Sequence, residues 1–217
     1  MTEKTTPKPS LILRNICIEL RGHPLFEPID LTVNPGQAVT IMGPSGSGKS
    51  TLLAYLCGSL GTDFTASGQV ALGARDLSTL PPERRHLGIL FQDDLLFPHL
   101  SVADNLAFGL PPGLNKADRE ARIATAMTEA GLQGFGDRDP ATLSGGQRAR
   151  ISCLRTLLSE PGALLLDEPF SKLDAALRDR FRRFVFDQAR DLPVILVTHD
   201  PGDAEAAGGP VLTLQAH

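Results

Sequence analysis

The chain has 217 residues, 41% of them apolar and 21% charged, which is typical of a globular domain with a real core. Its formal net charge of −4 argues against a protein that coats nucleic acid. The three cysteines, Cys17, Cys57 and Cys153, are far apart and form no C-x-x-C motif, so they favour small buried thiols in a reducing compartment over a disulfide framework.

The first ten residues are polar and contain two prolines, so we expect residues 1–10 to form a disordered tail rather than a signal peptide. No apolar run approaches the roughly 18 residues needed for a membrane span. The rest of the chain, residues 11–217, is expected to form a single domain.

The first part of this domain is rich in predicted strands. Alternating and β-branched apolar residues predict strands and one helix in this order: strands Leu11–Leu20, Ile29–Val33 and Ala38–Met42, a helix from Ser50 to Cys57 ended by Gly58, and strands Gln69–Leu72 and Leu87–Phe91. Residues 58–68 are polar and contain glycine, which predicts a loop.

The middle of the chain is predicted to be helical. Ser101, Asn115 and Ser144 are each suited to cap a helix, opening segments that run to Phe108, Ala130 and Leu158. Buried strands then alternate with helix again: strand Ala163–Leu166, helix Ala175–Asp191, and strands Val194–Val197 and Val211–Leu214. This alternation predicts an α/β fold with a mostly parallel sheet and a helical insert.

The strongest motif lies between the strand Ala38–Met42 and the next helix. It matches the phosphate-binding pattern G-x-x-x-x-G-K-[ST] over the residues Gly43, Pro44, Ser45, Gly46, Ser47, Gly48, Lys49, Ser50 and Thr51. Its glycines let backbone N–H groups surround an anion at a helix N-terminus. Lys49 is expected to reach the β- and γ-phosphates, and the Ser50 hydroxyl to bind Mg²⁺.

Polar residues follow three other apolar strands, at the edge where open parallel sheets bind ligands. Asp167 is suited to orient Mg²⁺, and Glu168 to act as the general base for an attacking water. Gln92 can bind Mg²⁺ or water, and His199 can contact a γ-phosphate. If the four strands share one sheet, these groups converge on one nucleotide.

A second glycine-rich segment, Leu143-Ser144-Gly145-Gly146-Gln147, opens a helix. Its Ser-x-x-Gln spacing forms a capping box, but a cap needs no adjacent glycines. The pair of glycines therefore suggests a second anion site, which is most useful if it faces another molecule's nucleotide; the alternative is a helix cap and nothing more.

Taken together in this order, these motifs resemble the ATP-binding cassette ATPases, and the resemblance covers nearly all of residues 11–214. It implies an α/β, RecA-like P-loop NTPase core with a parallel sheet, a small antiparallel β part and a helical subdomain inserted at about residues 93–158. LSGGQ is its most specific part.

The resemblance also implies roles and partners. ATP and Mg²⁺ are the implied cofactors, Lys49, Glu168 and His199 the catalytic residues, and Ser50, Gln92 and Asp167 the metal-binding ones. Ser144 to Gln147 would contact ATP bound by a second copy in a head-to-tail dimer. The implied partners are transmembrane permease subunits and a substrate-binding protein, without nucleic acid, and the implied location is cytoplasmic, on the inner face of the cell membrane.

Within the family, two segments look like bacterial importer subunits of the thiamine and iron type: LPPERR at 80–85 and LFPHLSV at 96–102. The segment after Gln92 is where such subunits receive a helix of the membrane protein. Two other functions share the ATP-binding motifs: an exporter or lipid-release ATPase, and a soluble ATPase acting on nucleic acid or ribosomes.

The chain departs from the family pattern in three places. The aromatic residue that usually stacks on adenine is replaced by Leu20, for which His23 or Phe26 could substitute. Lys172 stands in the D-loop, residues 171–174, where a small residue is usual. The chain ends soon after Leu214, which predicts no regulatory domain.

Overall fold

A computed structural model describes residues 8–215, so most of the tail expected at residues 1–10 lies outside the described residues. The strands are β1 (Leu11–Leu20), β2 (His23–Pro24), β3 (Ile29–Val33), β4 (Ala38–Met42), β5 (Phe64–Leu72), β6 (Arg75–Asp76), β7 (Leu87–Leu90), β8 (Ala163–Asp167), β9 (Val194–Val197) and β10 (Val211–Thr213). The helices are α1 (Lys49–Cys57), α2 (Val102–Gly109), α3 (Lys116–Glu129), α4 (Gly145–Leu158), α5 (Ala175–Gln188) and α6 (Pro201–Ala207).

The chain divides into two compact units. The first unit comprises the described parts of residues 1–89, 162–168 and 189–217, and the second comprises residues 90–161 and 169–188. Both sheets belong almost entirely to the first unit, whereas helices α2 to α5 belong to the second.

The parallel sheet has the strand order β10-β4-β9-β8-β7, and the pairs β10–β4, β4–β9 and β8–β9 are parallel. All four residues of β9 and the first four of β8 are buried, as expected when both faces of a parallel sheet are covered. The predicted α/β fold is confirmed, and the four strands that end in polar residues share this sheet.

The smaller sheet is antiparallel and centres on β1, which pairs with β2 and β3 on one side and β5 on the other. A β-bulge interrupts β1 at Asn15, whose φ is +48°. On the facing strand, Gly68 has a φ of +101°, and a Cβ there would collide with the Asn15 carbonyl. Glycine is therefore required opposite the bulge.

Arg85 fixes the C-terminal end of α1 in the same unit. Its buried guanidinium donates hydrogen bonds to the carbonyls of Tyr55 and Leu56 at 2.8 Å each, and to those of Leu80 and Ser78. These bonds add to the Gly58 N–H in satisfying carbonyls of the last turn of α1, where the helical ladder ends. The LPPERR segment thereby fixes the helix that follows the phosphate loop.

In the second unit, helices α2, α3 and α4 bury a common apolar core that includes Val102, Leu106, Met127, Ile151 and Leu154. All three predicted caps are confirmed. Ser101 accepts from the Asp104 N–H, Asn115 from the Asp118 N–H, and Ser144 from the Gln147 N–H.

Several predicted boundaries are wrong. Strand β5 begins at Phe64 rather than Gln69, because its exposed polar half is held by the ladder with β1 and not by an apolar pattern. Helix α5 ends at Gln188, and α6 was not predicted at all, because its seven residues include Pro201 and Gly202, which are typical of a loop.

The cysteines are free thiols, and Cys153 is the fully buried one. Burial raises the pKa of Cys153 to about 12 and the pKa of Cys57 to about 11, so both thiols stay neutral at physiological pH. Among residues 8–215, none of the helices combines the length and apolar character needed to cross a membrane.

Candidate functional site

The phosphate loop connects β4 to α1 in the first unit, and its glycines serve different purposes. A Cβ on Gly43 would lie 2.6 Å from the Leu214 carbonyl oxygen, and one on Gly48 would lie 2.9 Å from the ring of Phe26. Gly46 has a φ of +83° and open space where a Cβ would stand. Gly43 and Gly48 are therefore required by close packing, and Gly46 by backbone conformation alone.

Lys49 is buried within this loop. Its ammonium donates hydrogen bonds to the carbonyls of Gly43 and Pro44, at 2.9 and 2.8 Å. Helix α1 begins after Gly48, which has a φ of +87° and gives the helix no side-chain cap. The first N–H groups of α1 therefore carry the partial positive charge of an uncapped helix N-terminus, next to a lysine ammonium.

Asp167, at the end of β8, lies beside the start of the same helix. The Ser50 hydroxyl donates to Asp167 Oδ1 at 3.1 Å. Burial raises the pKa of Asp167, the Ser50 hydrogen bond partly opposes this, Glu168 adds to the rise, and Lys49 opposes it. A cation would relieve the energetic cost of this half-buried carboxylate.

The two oxygens are also spaced for a small divalent ion. Adjacent ligands of an octahedral Mg²⁺ at about 2.1 Å lie about 3 Å apart, which matches the separation of Ser50 Oγ and Asp167 Oδ1. Among residues 8–215 there is no cluster of three or more His, Cys, Asp or Glu side chains that could hold a metal by itself. A magnesium ion here would therefore need phosphate or water oxygens as further ligands.

Glu168 and His199 form another polar pair in the first unit. Nδ1 of His199 lies 2.9 Å from Oε2 of Glu168, so the ring donates a hydrogen bond to the carboxylate. The backbone of Glu168 has a φ of +47°, a left-handed conformation that costs a non-glycine residue about 1 kcal/mol or more. Its carboxylate contacts His199, which follows the end of the neighbouring strand β9.

A cavity of about 640 Å³ in this unit is lined by the phosphate loop together with Glu168 and His199. Its apolar end is formed by Leu20, Leu25 and Phe64. A cavity of this size, polar around the phosphate loop and apolar at one end, suits a nucleotide-sized ligand.

The lining of the apolar end excludes Phe26, one of the residues suggested for stacking on adenine. Phe26 is buried against Gly48 and does not line the cavity, so it is a core residue rather than a base-stacking one. Phe64 was missed because it lies in a segment predicted to be a loop. The structure pairs it with Leu20 across the β1–β5 ladder, a non-local contact that no sequence pattern indicated.

The second glycine-rich segment lies in the second unit and begins α4 with a complete capping box. Ser144 Oγ accepts from the Gln147 N–H at 3.3 Å, and Gln147 Oε1 accepts from the Ser144 N–H at 2.9 Å. Gly145 is exposed with open space around its Cα, but a Cβ on Gly146 would lie 2.5 Å from Leu177. Gly146 therefore serves helix packing, and Gly145 is the glycine that presents a bare backbone surface.

Gln92 and Gly145 line a common cavity of about 160 Å³ in the second unit, together with Asp94, Arg148 and Lys172. Asp94 pairs with Arg148 at 2.8 Å, and Asp93 pairs with Lys172. The structure thus brings Gln92, the start of α4 and the D-loop segment around one space. Lys172, unusual at its position, has a definite partner in Asp93.

Two arginines of α4 make hydrogen bonds within the second unit. Arg148 also donates to the Leu143 carbonyl at 2.8 Å, and Arg155 donates to the carbonyls of Asp94 and Leu95. The bonds to Asp94 and Leu95 attach the segment after Gln92 to α4. Helical spacing alone did not reveal these bonds, because the two partners lie 54 or more residues away along the chain.

Comparisons with known proteins agree with these observations. The family model for the ABC transporter ATPase domain, described as "ABC transporter", matches residues 26–171. The chain is 48% identical over 198 residues to the uncharacterized ABC transporter ATP-binding protein YnjD of Escherichia coli. The aligned residues cover 90% of this chain and 91% of the relative.

Two further relatives carry more specific names. The thiamine import ATP-binding protein ThiQ of Vibrio vulnificus is 45% identical over 180 residues, covering 82% of this chain and 76% of the relative. The Fe(3+) ions import ATP-binding protein FbpC 1 of Rhizobium meliloti is 38% identical over 209 residues, covering 95% of this chain but only 58% of the relative. With the phosphate loop, the Asp167–Glu168 pair and the Ser144 to Gln147 segment in their expected elements, this chain belongs to the ABC transporter family, as one of its ATP-binding ATPase subunits.

Proposed function

We propose that this chain hydrolyses ATP as a head-to-tail dimer and thereby drives solute import through transmembrane permease subunits. The observation that carries the proposal is the cavity of the first unit, where the phosphate loop meets Glu168 and His199. The loop supplies anion binding and the pair supplies proton transfer, which are the two requirements of phosphoryl transfer to water.

ATP would bind with its phosphates on the backbone N–H groups of residues 43–51 and its base toward Leu20, Leu25 and Phe64. Lys49 would turn its ammonium from the Gly43 and Pro44 carbonyls toward the β- and γ-phosphates. The base then rests on apolar side chains, so most of the affinity comes from the phosphates.

Ser50 and Asp167 would hold the Mg²⁺ that accompanies ATP, as their 3.1 Å oxygen separation supports. Bound there, the ion would neutralise charge on the phosphate oxygens. Gln92 is proposed as a further ligand on the strength of the family resemblance.

Hydrolysis would begin with a water placed between Glu168 and the γ-phosphate. Glu168 accepts a proton as the water oxygen bonds to the γ-phosphorus, and the bond between that phosphorus and the bridging oxygen breaks, which releases ADP. The contact of His199 Nδ1 with Glu168 Oε2 holds the carboxylate in place, and the His199 ring would contact the γ-phosphate.

The γ-phosphate would be closed off by Ser144 to Gln147 of a second copy. The exposed Ser144 and the open surface at Gly145 support this contact. In this proposal residues 11–217 act as one ATPase domain, and residues of about 93–158 form its helical subdomain.

The permease would dock on the segment after Gln92. Leu95 and Phe108 are exposed, and Phe108 packs edge-on against Phe97 with ring centroids 4.7 Å apart. An apolar surface of this kind suits a helix of a membrane protein. The subunit would then work on the cytoplasmic face of the cell membrane, with a substrate-binding protein delivering the solute and no nucleic acid involved.

Steady-state hydrolysis of MgATP by the purified chain tests the proposed chemistry. Glu168→Gln removes the base and should lower kcat by at least about 100-fold, the usual contribution of general-base catalysis. Glu120→Gln is the matched control on an exposed helix face and should leave kcat unchanged. Normal turnover by Glu168→Gln would overturn the assigned role of that residue.

A further inference from the structure

The turn that carries His199 is fixed by a buried hydrogen-bond network. Thr198 and Asp203 flank this turn, and their side chains are only 1% and 2% exposed. The Thr198 hydroxyl donates to Asp203 Oδ2 at 2.6 Å. From this geometry we infer that Thr198 and Asp203 are positioning residues for hydrolysis, which hold His199 against Glu168. The inference rests on the proposed function.

Thr198 fixes the chain on both sides of His199. Its hydroxyl accepts a hydrogen bond from the Asp200 N–H at 3.1 Å, and its backbone N–H donates to the Ile41 carbonyl at 3.3 Å. Because the Thr198 hydroxyl donates its hydrogen bond to Asp203, the lone pairs of the hydroxyl oxygen face the Asp200 N–H. Asp203 therefore orients the Thr198 hydroxyl, and this hydroxyl fixes the backbone of the turn.

The same turn is secured again at the start of α6. Asp200 Oδ1 accepts from the Gly202 N–H at 2.8 Å, which caps the short helix that brings Asp203 under Thr198. Hydrogen bonds thus join the two ends of the segment from Thr198 to Asp203, and His199 faces outward from it. A hydrogen bond to a buried carboxylate is stronger than one between neutral groups, so this closure is stiff.

His199 itself has little packing to hold it, since 65% of its side chain is exposed. The direction of its ring therefore depends on the backbone of the turn and on the bond to Glu168. An error of about 1 Å at a reacting group can lower a rate by about 100-fold. Loss of the buried network should accordingly affect turnover more than nucleotide binding.

Thr40 provides a matched control in the neighbouring strand of the same sheet. It is also buried, at 0% exposure, but within residues 8–215 its hydroxyl has no hydrogen-bond partner. Thr→Val at the two positions makes the same isosteric change in similar surroundings. Only Thr198→Val removes a hydrogen-bond network.

The test is steady-state ATP hydrolysis by Thr198→Val, Thr198→Ser and Thr40→Val. Thr198→Val should lower kcat by about tenfold, as expected when a charge-assisted hydrogen bond that supports catalysis is lost, with KM for ATP changed by less than about twofold. Thr198→Ser keeps the hydroxyl and should restore kcat to within about twofold of the wild type, where Thr40→Val should also remain.

The NMR ring signals of ¹⁵N-labelled histidine report on the surroundings of His199. They would not shift if Thr198 only stabilised the fold. The His199 signals, identified by their loss in His199→Ala, should shift in Thr198→Val and stay in place in Thr40→Val. If Thr198→Val does not fold, as judged by thermal unfolding, Asp203→Asn goes through the same series.

A folded Thr198→Val protein with wild-type kcat and unshifted His199 signals would overturn the inference, and so would equal losses in Thr198→Val and Thr40→Val. Failure of the proposed function looks different. In that case the wild-type chain itself fails to hydrolyse ATP, or His199→Ala turns over at the wild-type rate.

Discussion

Two helices of this protein begin in glycine-rich segments, but their N-termini are built differently. Helix α1 starts at Gly48 with a left-handed backbone and no side-chain cap. Helix α4 starts at Ser144 with a capping box that uses the backbone N–H groups of both Ser144 and Gln147. An uncapped N-terminus leaves its N–H groups for an anion, whereas a capped one has already used part of that capacity.

The surrounding side chains show the same contrast. Near α1, the Asp167 carboxylate is in an environment that raises its pKa, and the Lys49 ammonium donates to the carbonyls of Gly43 and Pro44. Near α4, the charges of Asp94 and Arg148 neutralise each other. In the proposed function, the first segment is a phosphate site that a nucleotide would complete. The second would be a preformed surface that faces a ligand held by another copy.

The largest effect is expected from Lys49→Ala. Removing the ammonium from the loop should lower ATP hydrolysis by about 10²- to 10³-fold, as loss of a single group that stabilises developing charge does. Lys116→Ala, on an exposed face of α3, is the matched control and should hydrolyse ATP normally. If Lys49→Ala retains more than about a tenth of the wild-type rate, the first segment is not the main phosphate site.

Asp167→Asn should separate stability from function. Its pKa is raised, so the ionised carboxylate weakens the folded state once the pH rises through that pKa. Without Mg²⁺, the variant should unfold at a higher temperature than the wild type at pH 7, and the difference should shrink as the pH falls toward 4. Hydrolysis of MgATP should drop by about 100-fold. A variant less stable than the wild type at pH 7 would contradict this account.

Alanine substitution of the two glycines at the start of α4 should have opposite effects on protein stability. Gly146→Ala forces a Cβ against Leu177 and should destabilise the protein by about 1–3 kcal/mol in urea unfolding. Gly145→Ala meets open space and should keep or raise stability, by up to about 1 kcal/mol, yet lower hydrolysis about tenfold because it alters the surface that faces the second ATP. Equal stability losses would break the distinction between packing and contact glycines.

Phe64→Ala should have the smallest effect. It removes one apolar contact to the base, so KM for ATP should rise by about threefold while kcat stays unchanged. Phe64→Tyr retains the ring and serves as the control, with a KM close to that of the wild type. An unchanged KM in Phe64→Ala would mean that the apolar end of the cavity does not hold the base.

Local rules explain what the sequence could predict. Caps at Ser101, Asn115 and Ser144 depend on residues three positions apart, and the phosphate loop depends on nine consecutive residues. Apolar runs such as Ala163–Leu166 identified the parallel strands. Each of these signals is contained within a short window, so no tertiary structure was needed to recognise it.

Long-range packing explains what the sequence could not predict. Phe64 reaches the cavity only because β5 pairs with β1, and Phe26 is excluded from it only because it packs against Gly48. Likewise, nothing in the Ser144 to Gln147 motif distinguishes Gly145 from Gly146 until Leu177 is placed beside one of them. The buried pair Thr198 and Asp203 was missed because its helix is short and rich in glycine and proline.

The central claim is that each ATP needs both segments, one from each of two copies. Light scattering of Glu168→Gln with saturating MgATP tests it most directly, because this variant should bind ATP without hydrolysing it. We predict a mass of twice the 23.2 kDa of one chain with ATP, and a monomer with ADP or without nucleotide. A Glu168→Gln protein that binds ATP and remains at 23.2 kDa would contradict the claim.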